Sequence, residues 1–147
     1  MRTKQETLDY LFSLHRRGRV TYDLARIGEA CRRLGEPQRA YRSIHVAGTN
    51  GKGTVCAMVE SVLRRAGTRT GLFIKPHLVN YEERFLVDGH EQGATWLEVY
   101  RDIEPVISDL TMTFFEISTL LAFEIFRRAG VEWAVFETGM GGRLDAT

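Results

Sequence analysis

The tightest constraint in this chain is a stretch of ten residues, HVAGTNGKGT, at positions 45–54. Gly48, Gly51, Gly53 and Lys52 stand between a short apolar run and the amphipathic run VCAMVESVLRRAG. Glycines at such a junction let several backbone N–H groups point one way and keep side chains from blocking a phosphate. A helix that starts directly behind them adds its positive dipole end and unpaired N–H groups. Lys52 supplies a cation for the outer phosphates, and the Thr54 hydroxyl suits Mg2+. The stretch departs from the ordinary pattern G-x-x-x-x-G-K-[ST], because the first glycine would fall on Val46 and Lys52 is followed by Gly53. The bland alternative is a tight strand-to-helix turn with an exposed lysine. Three glycines and a lysine in this strand–loop–helix setting favour a phosphate cradle over that turn.

The rest of the chain reads as alternating helix and strand. Helices are expected over 4–17 and 22–34, the first with Leu8, Leu11, Phe12 and His15 on one face and a Thr3/Glu6 capping box. A strand over 43–47 precedes the glycine loop. The helix after it carries Val55, Met58, Val59, Val62, Leu63 and Ala66 on one stripe. Strands follow over 70–74 and, shorter and more exposed, over 84–87, ending at the turn Asp88-Gly89. A helix over 95–107 has a Thr95/Glu98 capping signature, with Pro105 kinking or ending it. Thr113 and Glu116 repeat the signature before a strongly apolar helix over 114–128. The run VEWAVF (131–136) is nearly continuous in apolar residues, as strands buried on both faces are. This order argues for an α/β domain, a mostly parallel sheet of P-loop type flanked by helices.

A length of 147 residues suits one domain with a real core. Twenty basic against 19 acidic residues leave a net charge of +1, which gives no global pull toward nucleic acid or an anionic membrane. Arginine pairs followed by glycine recur at 16–18, 32–35, 64–67 and 127–130. Each falls at an expected helix end, where positive charge suits the dipole and glycine suits the left-handed exit, so helix stops explain them better than a nucleic-acid surface. The apolar segment 114–126 holds Glu116 and Glu124 and is too short to span a bilayer. Cys31 and Cys56 have no metal-ligand spacing and are expected reduced and buried, in the cytoplasm.

The loop spelling GTNGKGT resembles the ATP loop of the Mur ligase superfamily, and HVAGTNGKGT is similar to that of its folylpolyglutamate synthase/dihydrofolate synthase family. Other segments agree in order: Tyr22–Ile27 (YDLARI, with Asp23 where the family usually has Gly), Pro76-His-Leu-Val79 with Glu83-Arg84, Thr113-Phe-Phe-Glu116, and Glu137–Thr147 (ETGMGGRLDAT). The resemblance runs from about residue 20 to the last residue. It implies part of a Mur ligase central domain, with 1–41 a helical substrate-side segment and 42–147 the P-loop α/β region. It implies an ATP-dependent amide ligase that adds L-glutamate to dihydropteroate or folates through an acyl phosphate. Lys52 and Glu137 would then be catalytic. Gly48, Thr49, Asn50, Gly51, Lys52, Gly53 and Thr54 would hold ATP, Thr54 and Glu137 would hold Mg2+, and Thr21, Tyr22, Thr113, Phe115 and Asp145 would lie at the pterin or its linker.

Two departures qualify what the resemblance implies. Where the family has a Ser whose hydroxyl helps hold Mg2+, this chain has Lys75, and a protonated ammonium has no acceptor for a metal. Lys75 then replaces part of the metal's charge, contacts an anion directly, or marks a weaker metal site; contact with an anion is the expectation adopted. Family members also continue beyond the position of Thr147, with a further metal-binding His, a modified Lys and a C-terminal domain. The chain is therefore expected to be the first part of a larger enzyme, inactive alone and partnered by the remaining portion. Two competing readings are another Mur-type amide ligase with a different acid substrate and a non-catalytic nucleotide-binding fragment.

Overall fold

The computed structural model describes residues 2–17, 24–139 and 141–147. Two helices come first, α1 (Lys4–Arg17) and α2 (Ala25–Arg33). Strand β1 (Arg42–Val46), helix α3 (Lys52–Arg65) and strand β2 (Thr70–Phe73) follow. A short hairpin, β3 (Phe85–Val87) and β4 (His90–Glu91), leads to α4 (Thr95–Ile107), α5 (Phe114–Arg128) and β5 (Trp133–Glu137). The sheet order is β1-β5-β2-β3-β4. β5 lies parallel to both β1 and β2, from Arg42↔Trp133 to Val46↔Glu137 on one side and from Thr70↔Trp133 to Phe73↔Phe136 on the other. β3 and β4 are antiparallel additions at the far edge.

The order decides where the helices go. From β1 the chain crosses to β2, skipping one position; from β2 it returns to fill that position with β5. Crossovers between parallel strands are right-handed, so opposite directions of travel put α3 on one face and α5 on the other. Successive strand residues point to opposite faces. Leu72 and Val135 accordingly pack with Cys56 beneath α3, and Phe73, Ala134 and Phe136 join the large cluster with Leu120, Leu121 and Phe126 of α5. Gly71 is a spacer on the α5 side, since a Cβ there would lie 2.9 Å from the Phe126 ring.

Three helix-end expectations hold and one does not. Thr3/Glu6 and Thr113/Glu116 form reciprocal capping boxes. At three of the four expected stops Gly35, Gly67 and Gly130 leave their helices with positive φ, and Arg32, Arg33, Arg64, Arg127 and Arg128 pair with Glu29, Glu60 and Glu124 of their own helices; Gly18 of the stop at 16–18 lies outside the described residues. The Thr95/Glu98 box is absent: the chain is already helical at Ala94, the Trp96 N–H bonds to the Gln92 carbonyl, and Thr95 is too far into the turn to cap it. Pro105 lies within the last turn of α4, which continues to Ile107.

The segment expected as an exposed strand from residue 84 differs more. Tyr81–Arg84 is a 3-10 turn, and β3 behind it is buried at Phe85 and Val87 because it pairs with β2 and packs against α5. Both cysteines are free and buried. Among the described residues no helix is long and apolar enough to cross a membrane.

Candidate functional site

Parallel strands bring their C-terminal ends to one edge, where open α/β sheets bind ligands. Here the C-terminal ends of β1, β2 and β5 meet at that edge, with Lys52 at the start of α3, Lys75 in the loop after β2 and Glu137 as the last residue of β5.

The glycine loop turns on positive φ at Gly48 (155°) and Gly51 (75°), angles that side-chain-bearing residues rarely adopt. Gly51 is the N-cap of α3 and no side chain caps the helix. Its first N–H groups, on Lys52, Gly53 and Thr54, precede the first α3 bond, from the Val55 N–H to the Gly51 carbonyl. The Lys52 ammonium folds back over the loop and donates to the Gly48 carbonyl at 2.8 Å, with the Thr49 carbonyl at 3.5 Å. Thr49, Asn50 and Thr54 are exposed. Gly53 faces Glu137: a Cβ there would stand 3.5 Å from the carboxylate Oε2, so only glycine leaves the first turn of α3 bare toward that acid.

Glu137 ends β5 and is 7% exposed. Its Oε2 accepts the Lys75 backbone N–H at 2.9 Å, and its carbonyl accepts the Lys75 ammonium at 2.8 Å. That ammonium also lies 3.9 Å above the Phe115 ring. Burial pulls the Lys75 ammonium down to about 8, with the negative charges of Asp145 and Glu137 opposing the shift. Within the chain its hydrogen bond goes to a neutral backbone carbonyl, and the two carboxylates act on it through their charge.

Asp145 curls back beside Lys75. Its Oδ2 accepts the Gly139 N–H at 2.7 Å and its Oδ1 accepts the Thr147 hydroxyl at 2.5 Å. Thr147 in turn meets His45 Nε2 at 2.6 Å, tying this segment to β1. Gly139 makes the convergence possible, since a Cβ there would be 2.8 Å from Asp145 Oδ2, 3.2 Å from Phe115 and 3.3 Å from the Lys75 ammonium. Lys75, Phe115, Glu137 and Asp145 therefore form one group, and Gly53 links it to the glycine loop.

Thr113 is engaged within its own helix. Thr113 caps α5, accepting the Glu116 N–H at 3.2 Å, and Glu116 also pairs with Arg26. Phe115 stacks on Phe73 at 6.4 Å while Lys75 covers it, so its ring is partly committed to the protein itself. Thr21 and Tyr22 lie outside the described residues. Among the described residues no group of three or more His, Cys, Asp or Glu side chains is placed to hold a metal ion.

Sequence reasoning missed the work of the Pro76–Val79 and Glu83-Arg84 segment. The Glu83 carboxylate accepts the N–H groups of Leu78, Val79 and Asn80 at 2.6, 2.9 and 2.6 Å, and Arg84 donates to His77 Nδ1 at 2.8 Å. The motif is a staple that fixes the loop after Lys75.

Comparison with known proteins decides the relationship. No protein-family model matches the chain. The dihydrofolate synthase/folylpolyglutamate synthase of Escherichia coli K12 is 40% identical over 141 residues, covering 95% of this chain and 33% of that protein. By sequence and by fold the chain matches the folylpolyglutamate synthase/dihydrofolate synthase family. The folylpolyglutamate synthase structure from Thermotoga maritima superposes with a TM-score of 0.89 at 36% identity, over 97% of this chain and 34% of that one. The Escherichia coli FolC structure in complex with DHPP and ADP gives 0.85 at 38% identity, over 95% and 34%. The chain thus spans about a third of the length of the relatives it matches.

Proposed function

We propose that the chain supplies the phosphate loop and one wall of the acid-substrate site of an ATP-dependent amide ligase, which joins L-glutamate to dihydropteroate or a folate. The observation that carries this reading is the uncapped start of α3 facing the Glu137 carboxylate across Gly53. The ADP and DHPP held by the Escherichia coli relative support it.

In this reading the triphosphate of ATP lies along Gly48, Thr49, Asn50, Gly51, Lys52, Gly53 and Thr54. Lys52 exchanges the loop carbonyls for phosphate oxygens. A carboxylate oxygen of the acid attacks the γ-phosphorus, the bond to the bridging oxygen breaks, and ADP leaves. The glutamate nitrogen then attacks the acyl carbon, the acyl C–O bond breaks, and phosphate departs while nitrogen loses its proton. The protein's task is to place reactants and balance charge, which Lys52 does at the transferring phosphoryl group. Mg2+ is usually bound by one or two protein oxygens together with phosphates and water, and Glu137 and Thr54 fit that modest set. When bound it neutralises phosphate charge. Asp145, Phe115 and Thr113, with Thr21 and Tyr22, would face the acid substrate. The L-glutamate site falls to the further portion that the relatives possess, and a supply of ATP and folates places the reaction in the cytoplasm.

Calorimetry with MgATP and dihydropteroate tests the reading. The chain should bind both, and Lys52→Ala should weaken MgATP about tenfold to a hundredfold through loss of a charged hydrogen bond. Binding of MgATP without dihydropteroate removes the folate half of the reading, and binding of neither overturns it.

A further inference from the structure

Glu137 and Asp145 are two carboxylates 7% and 9% exposed, at the end of β5 and in the loop beyond it. Buried carboxylates persist when hydrogen-bonded and balanced by opposite charge. The hydrogen bonds are in place, from the Lys75 N–H to Glu137 and from Gly139 and Thr147 to Asp145. Lys75 lies within the field of both carboxylates, with Arg84 adding to it at Glu137, and its ammonium is fixed by the Glu137 carbonyl at 2.8 Å and the Phe115 ring at 3.9 Å. The space above Gly139 is where that ammonium, Asp145 and Phe115 converge.

We propose that Lys75 is the resident cation of this site, a positioning residue that takes the electrostatic place of a divalent ion between Glu137 and Asp145. It holds the 137–145 segment closed with no metal bound, and its charge keeps a free divalent ion away from Glu137. Mg2+ then enters with the phosphates of a nucleotide, and only this consequence rests on the function proposed above. The ammonium takes the main-chain carbonyl of Glu137 and the Lys75 backbone N–H takes Oε2, so residue 75 holds both ends of Glu137 while the carboxylate faces the first turn of α3.

The test reads Mn2+ binding by electron paramagnetic resonance and amide hydrogen exchange at Gly139, on the 147-residue chain without nucleotide at pH 7. Removing the charge in Lys75→Ser should tighten Mn2+ binding about tenfold or more, a change typical of altered support around a metal ligand. Adding Glu137→Gln to Lys75→Ser should abolish that gain. Lys75→Arg, which keeps the charge, should bind Mn2+ as weakly as the wild type. Gly139 exchange should quicken in Lys75→Ser and slow again when Mn2+ is added. Lys75→Met, which keeps the buried stem and adds no hydroxyl ligand, carries the same Mn2+ and exchange measurements, also where Lys75→Ser fails to fold, and a gain confined to Lys75→Ser would overturn the proposal. Equal Mn2+ affinity in the wild type and the uncharged variants would overturn the proposal, as would Gly139 exchange that ignores residue 75. Failure of ATP to bind would sink the proposed function and leave these results standing.

Discussion

Helices α3 and α5 flank the same sheet, and each helps build the candidate site, yet they are made in opposite ways. All of α5 except Phe115, Arg127 and Arg128 is buried, because α1, α2 and α4 wrap the side that the sheet leaves open. On α3, Cys56 is buried and Val59 and Leu63 pack on the sheet, while Val55, Met58 and Val62 are 46%, 64% and 68% exposed. The N-termini differ in the same sense. Thr113 and Glu116 close the start of α5 on itself; Gly51 gives α3 no side-chain cap. A helix end that satisfies its own N–H groups is framework, and one that leaves them open is a place for an anion.

The largest effect should come from the framework side. Phe126 is fully buried and packs on Tyr41 and Phe136. Phe126→Ala should cost about 3–5 kcal/mol, read as a lower midpoint in urea unfolding with little change in slope. A loss under about 1 kcal/mol would mean that the α5 face is looser than its burial implies, and the contrast with α3 would fail.

Next comes the capped end. Thr113→Ala removes the acceptor for the Glu116 N–H and should cost about 1 kcal/mol in the same measurement. It also separates two roles for Thr113. A purely structural cap predicts unchanged dihydropteroate affinity at temperatures well below unfolding, whereas a substrate contact predicts weaker binding.

This contrast explains what could be read from the residues alone. The helix over 95–107 and the parallel core were legible from their apolar pattern alone, and helices over 4–17 and 114–128 because apolar periodicity and capping pairs are local. The glycine loop was legible for the same reason, since three glycines and a lysine confine the backbone within a few residues. The hairpin at His90–Glu91 was not, because two-residue pairing leaves no periodic trace. Nor were the bonds that assemble the site. Lys75 and Glu137 are 62 residues apart, and their contact depends on β2 and β5 becoming neighbours. Glu83 stapling the loop at 78–80 is local, but a carboxylate accepting three backbone N–H groups has no distinctive spelling. The stripe expected on α3 failed for a different reason. The face that meets the sheet is turned from that stripe: Cys56 and Glu60 are buried on it with Val59 and Leu63 alongside, and Val55, Met58 and Val62 are left out.

That outer arc carries the smallest predicted effect and the sharpest check on the comparison. Val62 lies in the last turn of α3 and is 68% exposed, so Val62→Lys removes little packing. Lysine is a better helix former than a β-branched residue, and its charge suits the C-terminal end of the dipole. Against this stands repulsion from Arg64 and Arg65 nearby, though Arg64 is engaged with Glu60. The balance should leave stability within about 0.5 kcal/mol of the wild type in urea unfolding, on either side. A loss above about 1 kcal/mol would show that Val62 is packed in solution, and α3 would then have to be read as a covered helix like α5.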